Sequence, residues 1–179
     1  LILHNADDLR GMPAILPILS YADMMEQPLV LDTQELYRRD NAPFLHLIFK
    51  TSCPLPRPIE RDSALVSLTC NVSLFEGELK YFYENYKDYY YLPLEDTAIH
   101  KSVGEYVDKS ARKKATARTC YCRKQGLFLP QFEALWSPSL KEDYRSAITY
   151  VPYSPQLLTQ ESCASAYAKQ LLTCTGCDE

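Results

Sequence analysis

The chain has 179 residues, 46% of them apolar and 23% charged, a composition of folded globular proteins that excludes disordered, collagen-like and coiled-coil classes. Its apolar runs are too short to cross a bilayer, so no membrane partner is expected, and the net charge of −4 argues against a uniformly basic nucleic-acid coat protein. Fourteen tyrosines and 12 prolines against five glycines are its unusual features.

Residues 1–62 contain seven of the prolines, and we expect them to form an irregular N-terminal arm or small subdomain. Each proline removes an amide donor and biases the preceding residue toward extended backbone, so only short elements fit between them. The pattern predicts a helical turn over 20–25, a helix beginning over 32–36 and a buried strand over 44–49. A stiff, extended connector over 52–58 is expected to separate this arm from the main domain.

Residues 63–179 are predicted to form an α+β core domain. Alternation of apolar and polar residues predicts strands over 64–74 and 79–83, joined by a turn at 76–77, and a third strand over 89–92. The short connections between these strands predict an antiparallel meander.

A basic helix is predicted to follow the meander. A cap at Asp96 or Thr97 and an apolar stripe at helical spacing predict that the helix runs to about Arg112. Gly104, in its middle, weakens a helix by roughly 1 kcal/mol relative to Ala, which indicates a close packing contact there.

A hairpin over 117–129 with its turn at 125–126, a short strand over 148–151 and a helix over 155–173 complete the chain. The predicted fold is therefore α+β: an antiparallel sheet, made of the meander plus the hairpin, packed with the basic amphipathic helix and the C-terminal helix, and preceded by the proline-rich arm. The order strand, strand, strand, helix, strand also occurs in ribonuclease H and proofreading exonuclease folds. The first predicted strand, however, has no Asp or Glu to hold the metal ions that those nucleases use.

Positive charge is concentrated between residues 101 and 124. This window holds eight cations against two acids, a net charge of +6 that leaves −10 for the remainder of the chain. Such segregation favours contact with phosphates. Cations near the C-terminal end of a helix also complement its dipole, which accounts for those from Lys109 to Lys114 but not for Arg118, Arg123 and Lys124.

Six tyrosines lie between residues 81 and 91, directly before the basic window. Tyrosines beside cations can stack on unpaired bases, although packing between paired strands is the favoured explanation for the tract as a whole. The candidate nucleic-acid-binding residues are His100, Lys101, Lys109, Arg112, Lys113, Lys114, Arg118, Arg123, Lys124, Tyr89 and Tyr91.

The seven cysteines are an odd number, so at least one thiol is unpaired in a monomer, which favours a reducing, cytoplasmic location. Cys120 and Cys122 could close a tetrahedral zinc site with Cys174 and Cys177. Burial as small hydrophobic side chains is favoured instead, and no metal or cofactor is predicted. Asn71 begins an Asn-Val-Ser tripeptide, and the sequence leaves open whether it is glycosylated.

The sequence predicts a non-catalytic binding or accessory domain that contacts a polyanion, in the first place nucleic acid, through the basic helix and hairpin. The alternative is a protein-interaction or structural domain of a longer polypeptide, whose other domains would be its partners; Leu1 in place of a starting Met fits that reading. A third hypothesis is a nuclease-associated or metal-dependent hydrolase domain that uses Glu84, Asp88, His100 or Asp108. No catalytic residue is assigned, and the choice among DNA, RNA and an acidic protein stays open.

Overall fold

The computed structural model describes residues 19–51 and 67–174, which fall into two compact units. The first unit comprises residues up to 73 together with residues from 154 onward, and the second comprises residues 74–153. Nine strands, arranged in three antiparallel three-stranded sheets, and three helices make up the described residues, which confirms the predicted α+β class. None of these helices is long and apolar enough to cross a membrane.

The first unit contains a helix, a three-stranded sheet in the order β1-β2-β3 and the C-terminal helix. Its elements are α1 (Leu19–Glu26), β1 (Val30–Arg39), β2 (Ala42–Lys50), β3 (Ser67–Ser73) and α3 (Glu161–Cys174). The helical turn over 20–25 and the strand over 44–49 are confirmed. The predicted domain boundary at residue 62 lies outside the described residues, as does the connector over 52–58, and both stay predictions. Strands from either side of that boundary pair with each other, because β2 is hydrogen-bonded to β3.

The prediction that a helix begins over 32–36 is wrong, because these residues lie in the long strand β1. β1 and β2 form a hairpin whose two-residue turn is Asp40 and Asn41, both in the left-handed region with φ of 50° and 67°. Asp and Asn tolerate this backbone better than other non-glycine residues, and the turn matches the twist of paired strands. This part of the proline-rich arm is therefore regular: Pro28 precedes β1, and Pro43 lies next to the turn at the end of β2.

The C-terminal helix supplies much of the core of the first unit. The predicted helix over 155–173 is confirmed from Glu161, after a 3-10 turn over Pro155–Leu158. Ala164, Tyr167, Ala168 and Leu171 are buried at i, i+3, i+4 and i+7 spacing. Burial raises the pKa of Tyr167 well above its usual value. The Ser165 hydroxyl accepts a buried hydrogen bond of 2.9 Å from the amide of Leu29, just before β1.

The second unit contains two sheets, in the orders β4-β8-β9 and β6-β5-β7. Its elements are β4 (Phe75–Phe82), a 3-10 turn (Tyr86–Asp88), β5 (Tyr89–Leu92), β6 (Thr97–His100), α2 (Lys101–Gly104), β7 (Lys113–Lys114), β8 (Tyr121–Gln131) and β9 (Thr149–Pro152). The strands predicted over 89–92 and 148–151 are confirmed.

The predicted meander is wrong, because β3, β4 and β5 belong to three different sheets. The predicted turns at 76–77 and 125–126 are also absent from these positions. Gly77 lies inside β4 and Gly126 inside β8, and the two glycines pair directly with each other. A glycine that interrupts an apolar pattern was expected to mark a turn, whereas here both lie where two strands face each other. The predicted hairpin over 117–129 is wrong, because residues 117–119 form a turn and residues from Tyr121 onward belong to one long strand, β8.

The predicted basic helix is a helix over only four residues. Residues 97–100 form strand β6, and α2 ends at Gly104. The apolar stripe that predicted the helix is not buried, since Val103 is 61% and Tyr106 92% exposed. The close contact expected at Gly104 is confirmed, because a Cβ added there would lie 2.6 Å from Cδ2 of Tyr90. Because the predictions of the meander and of this helix are both wrong, the described residues do not show the order of elements that ribonuclease H folds have.

Candidate functional site

Three lysines meet at one cleft of the second unit. A depression of about 270 Å³ is lined by Tyr86, Lys87, Tyr89, Lys101, Lys114 and Ala115, and we call it the lysine cleft. Lys87 and Lys114 are exposed and Lys101 is half-buried. Within the described part of the chain, no carboxylate lies at ion-pair distance from these three ammonium groups. The cleft therefore concentrates positive charge around a space large enough for a small anionic group.

Strand β5 brings the three lysines together from separate parts of the sequence. Lys114 belongs to β7 and pairs with Tyr90 of β5, and the following amide, of Ala115, donates a hydrogen bond of 3.3 Å to the carbonyl of Tyr89. On the other edge of β5, His100 pairs with Tyr89, which places Lys101 directly after β6. Lys87 lies in the 3-10 turn that leads into β5.

Sequence reasoning found two of the three lysines. Lys101 and Lys114 are among the candidates. Lys87 is not, because it lies outside the basic window, between the strands predicted over 79–83 and 89–92. The signal that could have found it is its position inside the tyrosine tract, two residues before the strand that also carries Tyr89. A lone cation among aromatic residues becomes informative only when the pairing of that strand is known.

Four aromatic side chains form a continuous row that ends at the lysine cleft. Tyr81 meets Tyr83 edge-on with ring centroids 5.3 Å apart, and Tyr83 stacks on Tyr89 at 4.5 Å with an angle of 16° between the planes. His100 meets Tyr89 edge-on at 5.4 Å. We call these four residues the aromatic row.

One side of the aromatic row is packed into the fold and the other is accessible. Tyr83 and Tyr89 pack against a buried cluster that includes Ala115 and Cys120, so the structure shows the packing of tyrosines that the sequence favoured. The three tyrosines of the row are nevertheless only half-buried, and His100 is exposed. Partial burial raises the pKa of Tyr89, which keeps its phenol protonated and able to donate a hydrogen bond.

His100 has a local structural role beside its place in the row. Its Nδ1 accepts a hydrogen bond of 3.3 Å from the amide of Ser102 and lies 2.7 Å from the Ser102 hydroxyl. The ring is therefore held at the first turn of α2, beside Lys101, with its edge toward Tyr89.

The two arginines Arg112 and Arg123 make contacts inside the fold. The guanidinium of Arg112 lies 4.4 Å from the centroid of the Tyr90 ring and donates to the carbonyl of Gly104. Arg123 pairs with Glu78 at 2.8 Å and with Asp96. Their charges are partly balanced by these contacts, so they are less available to a ligand than the lysines of the cleft.

Asp96 is the centre of a polar cluster that we call the Asp96 clasp. The hydroxyls of Tyr91 and Tyr121 both donate to its Oδ1, the second at 2.5 Å, and Arg123 pairs with its Oδ2. Asp96 has a φ of 48°, in the left-handed region, at the connection between β5 and β6. The Tyr91 hydroxyl, a candidate for nucleic-acid contact, is thus already engaged in the clasp.

The remaining candidate cations are exposed and lie outside the lysine cleft: Lys109, Lys113, Arg118 and Lys124. Lys113 precedes Lys114 in β7 and pairs with Tyr91, and Lys124 lines a second, larger pocket. The structure therefore groups four of the eleven candidates, His100, Lys101, Lys114 and Tyr89, at one place.

The cysteines of the proposed zinc site differ in their surroundings. Cys120 is fully buried, and burial raises the pKa of its thiol to about 11. Cys122 is half-buried, and its side chain raises the pKa of the neighbouring Tyr83. Over residues 19–51 and 67–174, no three His, Cys, Asp or Glu side chains are grouped so as to hold a metal ion. Cys177 and the side chain of Cys174 lie outside the described residues, so the four-cysteine site stays a hypothesis.

Comparison with known proteins adds no relative. No protein-family model, curated protein or solved structure matches the chain.

Proposed function

We propose that this chain is a non-catalytic domain that binds nucleic acid through the lysine cleft and the aromatic row of its second unit. The observation that carries the proposal is the convergence of Lys87, Lys101 and Lys114, from three separate segments, on one cleft beside stacked aromatic rings. The site is local, which reconciles it with a chain whose total charge is −4.

Phosphate chemistry explains why such a cleft favours a polyanion. Each lysine that contacts a phosphate releases counterions condensed on the nucleic acid, so the affinity depends steeply on salt. The ammonium groups and the protonated Tyr89 phenol offer hydrogen-bond donors to phosphate oxygens. The half-buried rings of the row add flat surfaces on which unpaired bases can stack, which favours single strands over a duplex.

The cytoplasm is the location that we propose for this activity. The reason is the odd number of cysteines, which leaves at least one thiol unpaired in a monomer and suits a reducing compartment.

The test is fluorescence anisotropy with labelled 20-nucleotide single-stranded DNA and RNA, over a range of salt concentrations. Wild type should bind at low salt, with an affinity that falls linearly on a log–log plot against salt. The double variant Lys101→Gln/Lys114→Gln should weaken binding at least tenfold and reduce the salt slope by about 1.4, since one phosphate contact is lost for each lysine and each contact contributes about 0.7 for a single strand.

A matched control removes two charges elsewhere. Lys109→Gln/Lys169→Gln changes the net charge equally, but neither residue lines the lysine cleft. Binding that is absent at low salt, or that the control pair weakens as much as the cleft pair, would overturn the proposal. Equal affinity for poly-glutamate of the same charge would instead support the alternative, a domain that binds an acidic protein partner.

A further inference from the structure

We propose that a second pocket of the second unit receives one unstacked base of the single strand whose phosphates bind at the lysine cleft; the inference rests on the proposed function. The pocket has a volume of about 690 Å³. Its lining includes Tyr81, Tyr83, Cys122, Gly126, Phe128 and Tyr153. We call it the glycine pocket, because Gly126 lies in its wall.

One wall of the pocket is a strand position that has no side chain, Gly126. Gly126 of β8 pairs with Gly77 of β4, and glycine inside a strand often marks a place where another group approaches the backbone closely. The Phe75 ring covers Gly77, where an added Cβ would lie 3.0 Å from the ring. At Gly126 the nearest atom to an added Cβ is 3.7 Å away, so there is room for a further group beside this residue.

The walls of the pocket match the flat apolar faces of a base. Tyr81 and Phe128 belong to an apolar cluster with the buried side chains of Leu79 and Leu140. Tyr81, Tyr83, Phe128 and Tyr153 place four aromatic rings around one cavity. Stacking on aromatic rings is the usual way in which proteins hold unpaired bases without reading their sequence.

The lining of the pocket also includes polar groups that can bind the phosphate and the edge of the base in a nucleotide. Lys124 lines the pocket and offers a cation to a flanking phosphate. The Tyr83 phenol and the Cys122 thiol both line the pocket, and each group can donate or accept a hydrogen bond at the edge of a base. The neighbouring Cys122 side chain and partial burial raise the pKa of Tyr83.

The aromatic row connects the glycine pocket to the lysine cleft. Tyr81 and Tyr83 line the pocket, Tyr89 lines the cleft, and Tyr83 stacks directly on Tyr89. One strand can therefore have phosphates at the cleft and a base in the pocket without leaving a continuous aromatic surface. This continuity favours a nucleobase over an unrelated small aromatic ligand.

The experiment compares two labelled oligomers of equal length and charge, oligo(dT) and an abasic phosphodiester chain. Wild type should bind oligo(dT) more tightly, by roughly five- to a hundredfold, which is the range reported by removal of one stacking residue. Gly126→Val places three carbon atoms in the pocket beside the aromatic rings, and should reduce this preference at least fivefold while leaving the affinity for the abasic chain unchanged. Gly126→Ala adds a single methyl at ordinary contact distance and is the matched control, expected to retain most of the preference.

A second readout does not depend on a variant. Oligo(dT) should slow the alkylation of Cys122 by a maleimide, measured by peptide mass spectrometry, whereas the abasic chain should not. Thermal melting shows whether Gly126→Val is folded. If the variant does not fold, the protection of Cys122 in the wild-type protein tests the proposal by itself.

The failures of the two proposals are distinguishable. If both oligomers bind wild type but Cys122 is not protected and Gly126→Val keeps the full preference for oligo(dT), the base pocket is refuted and polyanion binding stands. If neither oligomer binds at low salt, the proposed function fails and the base pocket fails with it.

Discussion

Gly104→Ala should destabilise the protein, although alanine is the better helix former. An alanine Cβ at this position would lie 2.6 Å from Cδ2 of Tyr90 and 3.2 Å from Cδ1 of Ile99, and side-chain carbons do not approach that closely. Tyr90 has little freedom to move, because it lies in the central strand β5 and beneath the guanidinium of Arg112. Overpacking of this kind costs about 1–3 kcal/mol, against roughly 1 kcal/mol gained in helix propensity.

The net expectation is a loss of up to roughly 2 kcal/mol in the free energy of unfolding, or about 2–4 °C in Tm for each kcal/mol. Circular dichroism on heating and in urea measures it. Gly126→Ala is the control: its Cβ meets only ordinary contacts, and fewer unfolded conformations should make it neutral or stabilising by up to about 1 kcal/mol. If Gly104→Ala melts at or above the wild-type temperature, the packing argument at Tyr90 is wrong.

Two further stability predictions concern polar groups of the second unit. Asp96→Ala removes the shared acceptor of the Asp96 clasp and places a less tolerant residue at positive φ, so it should lower the free energy of unfolding measured in urea by about 1–3 kcal/mol. An unchanged free energy of unfolding would show that the clasp contributes nothing. Burial and the hydrogen bond to Glu142 raise the pKa of Tyr150 from its usual 10 to about 12. The unfolded chain therefore releases the Tyr150 proton at lower pH than the folded protein does, so the free energy of unfolding falls between about pH 10 and pH 12. Tyr150→Phe should make this loss smaller in a series of melting curves at alkaline pH. An identical dependence on pH in both proteins would contradict the role given to Tyr150.

The elements that were predicted correctly are those in which buried apolar side chains recur at the regular spacing of a strand or a helix. β2 alternates between Leu45, Leu47 and Phe49 on one face and half-buried residues on the other, and the C-terminal helix buries one face at helical spacing. In both elements the local pattern and the tertiary packing favour the same structure, so the prediction was correct.

The errors occurred where distant residues determine the local structure. Gly77 and Gly126 predict turns from their local sequence, but the two glycines pair with each other inside the strands β4 and β8. The helical spacing from Ile99 to Val107 suggested a buried helix, but pairing with β5 holds residues 97–100 in a strand instead. Which distant segment a strand pairs with cannot be read from the pattern of that strand alone.

The candidate site was found in part for the same reason. Charge counting along the chain identified Lys101 and Lys114, because they belong to one basic window. It could not separate them from Arg112 and Arg123, whose charges are engaged by Tyr90 and by the Asp96 clasp. Only the order of strands in the sheet brings Lys87 to the other two lysines.

The Asp96 clasp has a geometric consequence for the second unit. Asp96 follows β5, whose sheet carries the lysine cleft, while Tyr121 and Arg123 belong to β8, whose sheet carries the glycine pocket. The clasp thereby joins the two sheets of the second unit through side-chain contacts at Asp96. If one strand binds in both cavities, as proposed above, a substitution at Asp96 should alter the length of oligonucleotide that binds, although Asp96 lines neither cavity.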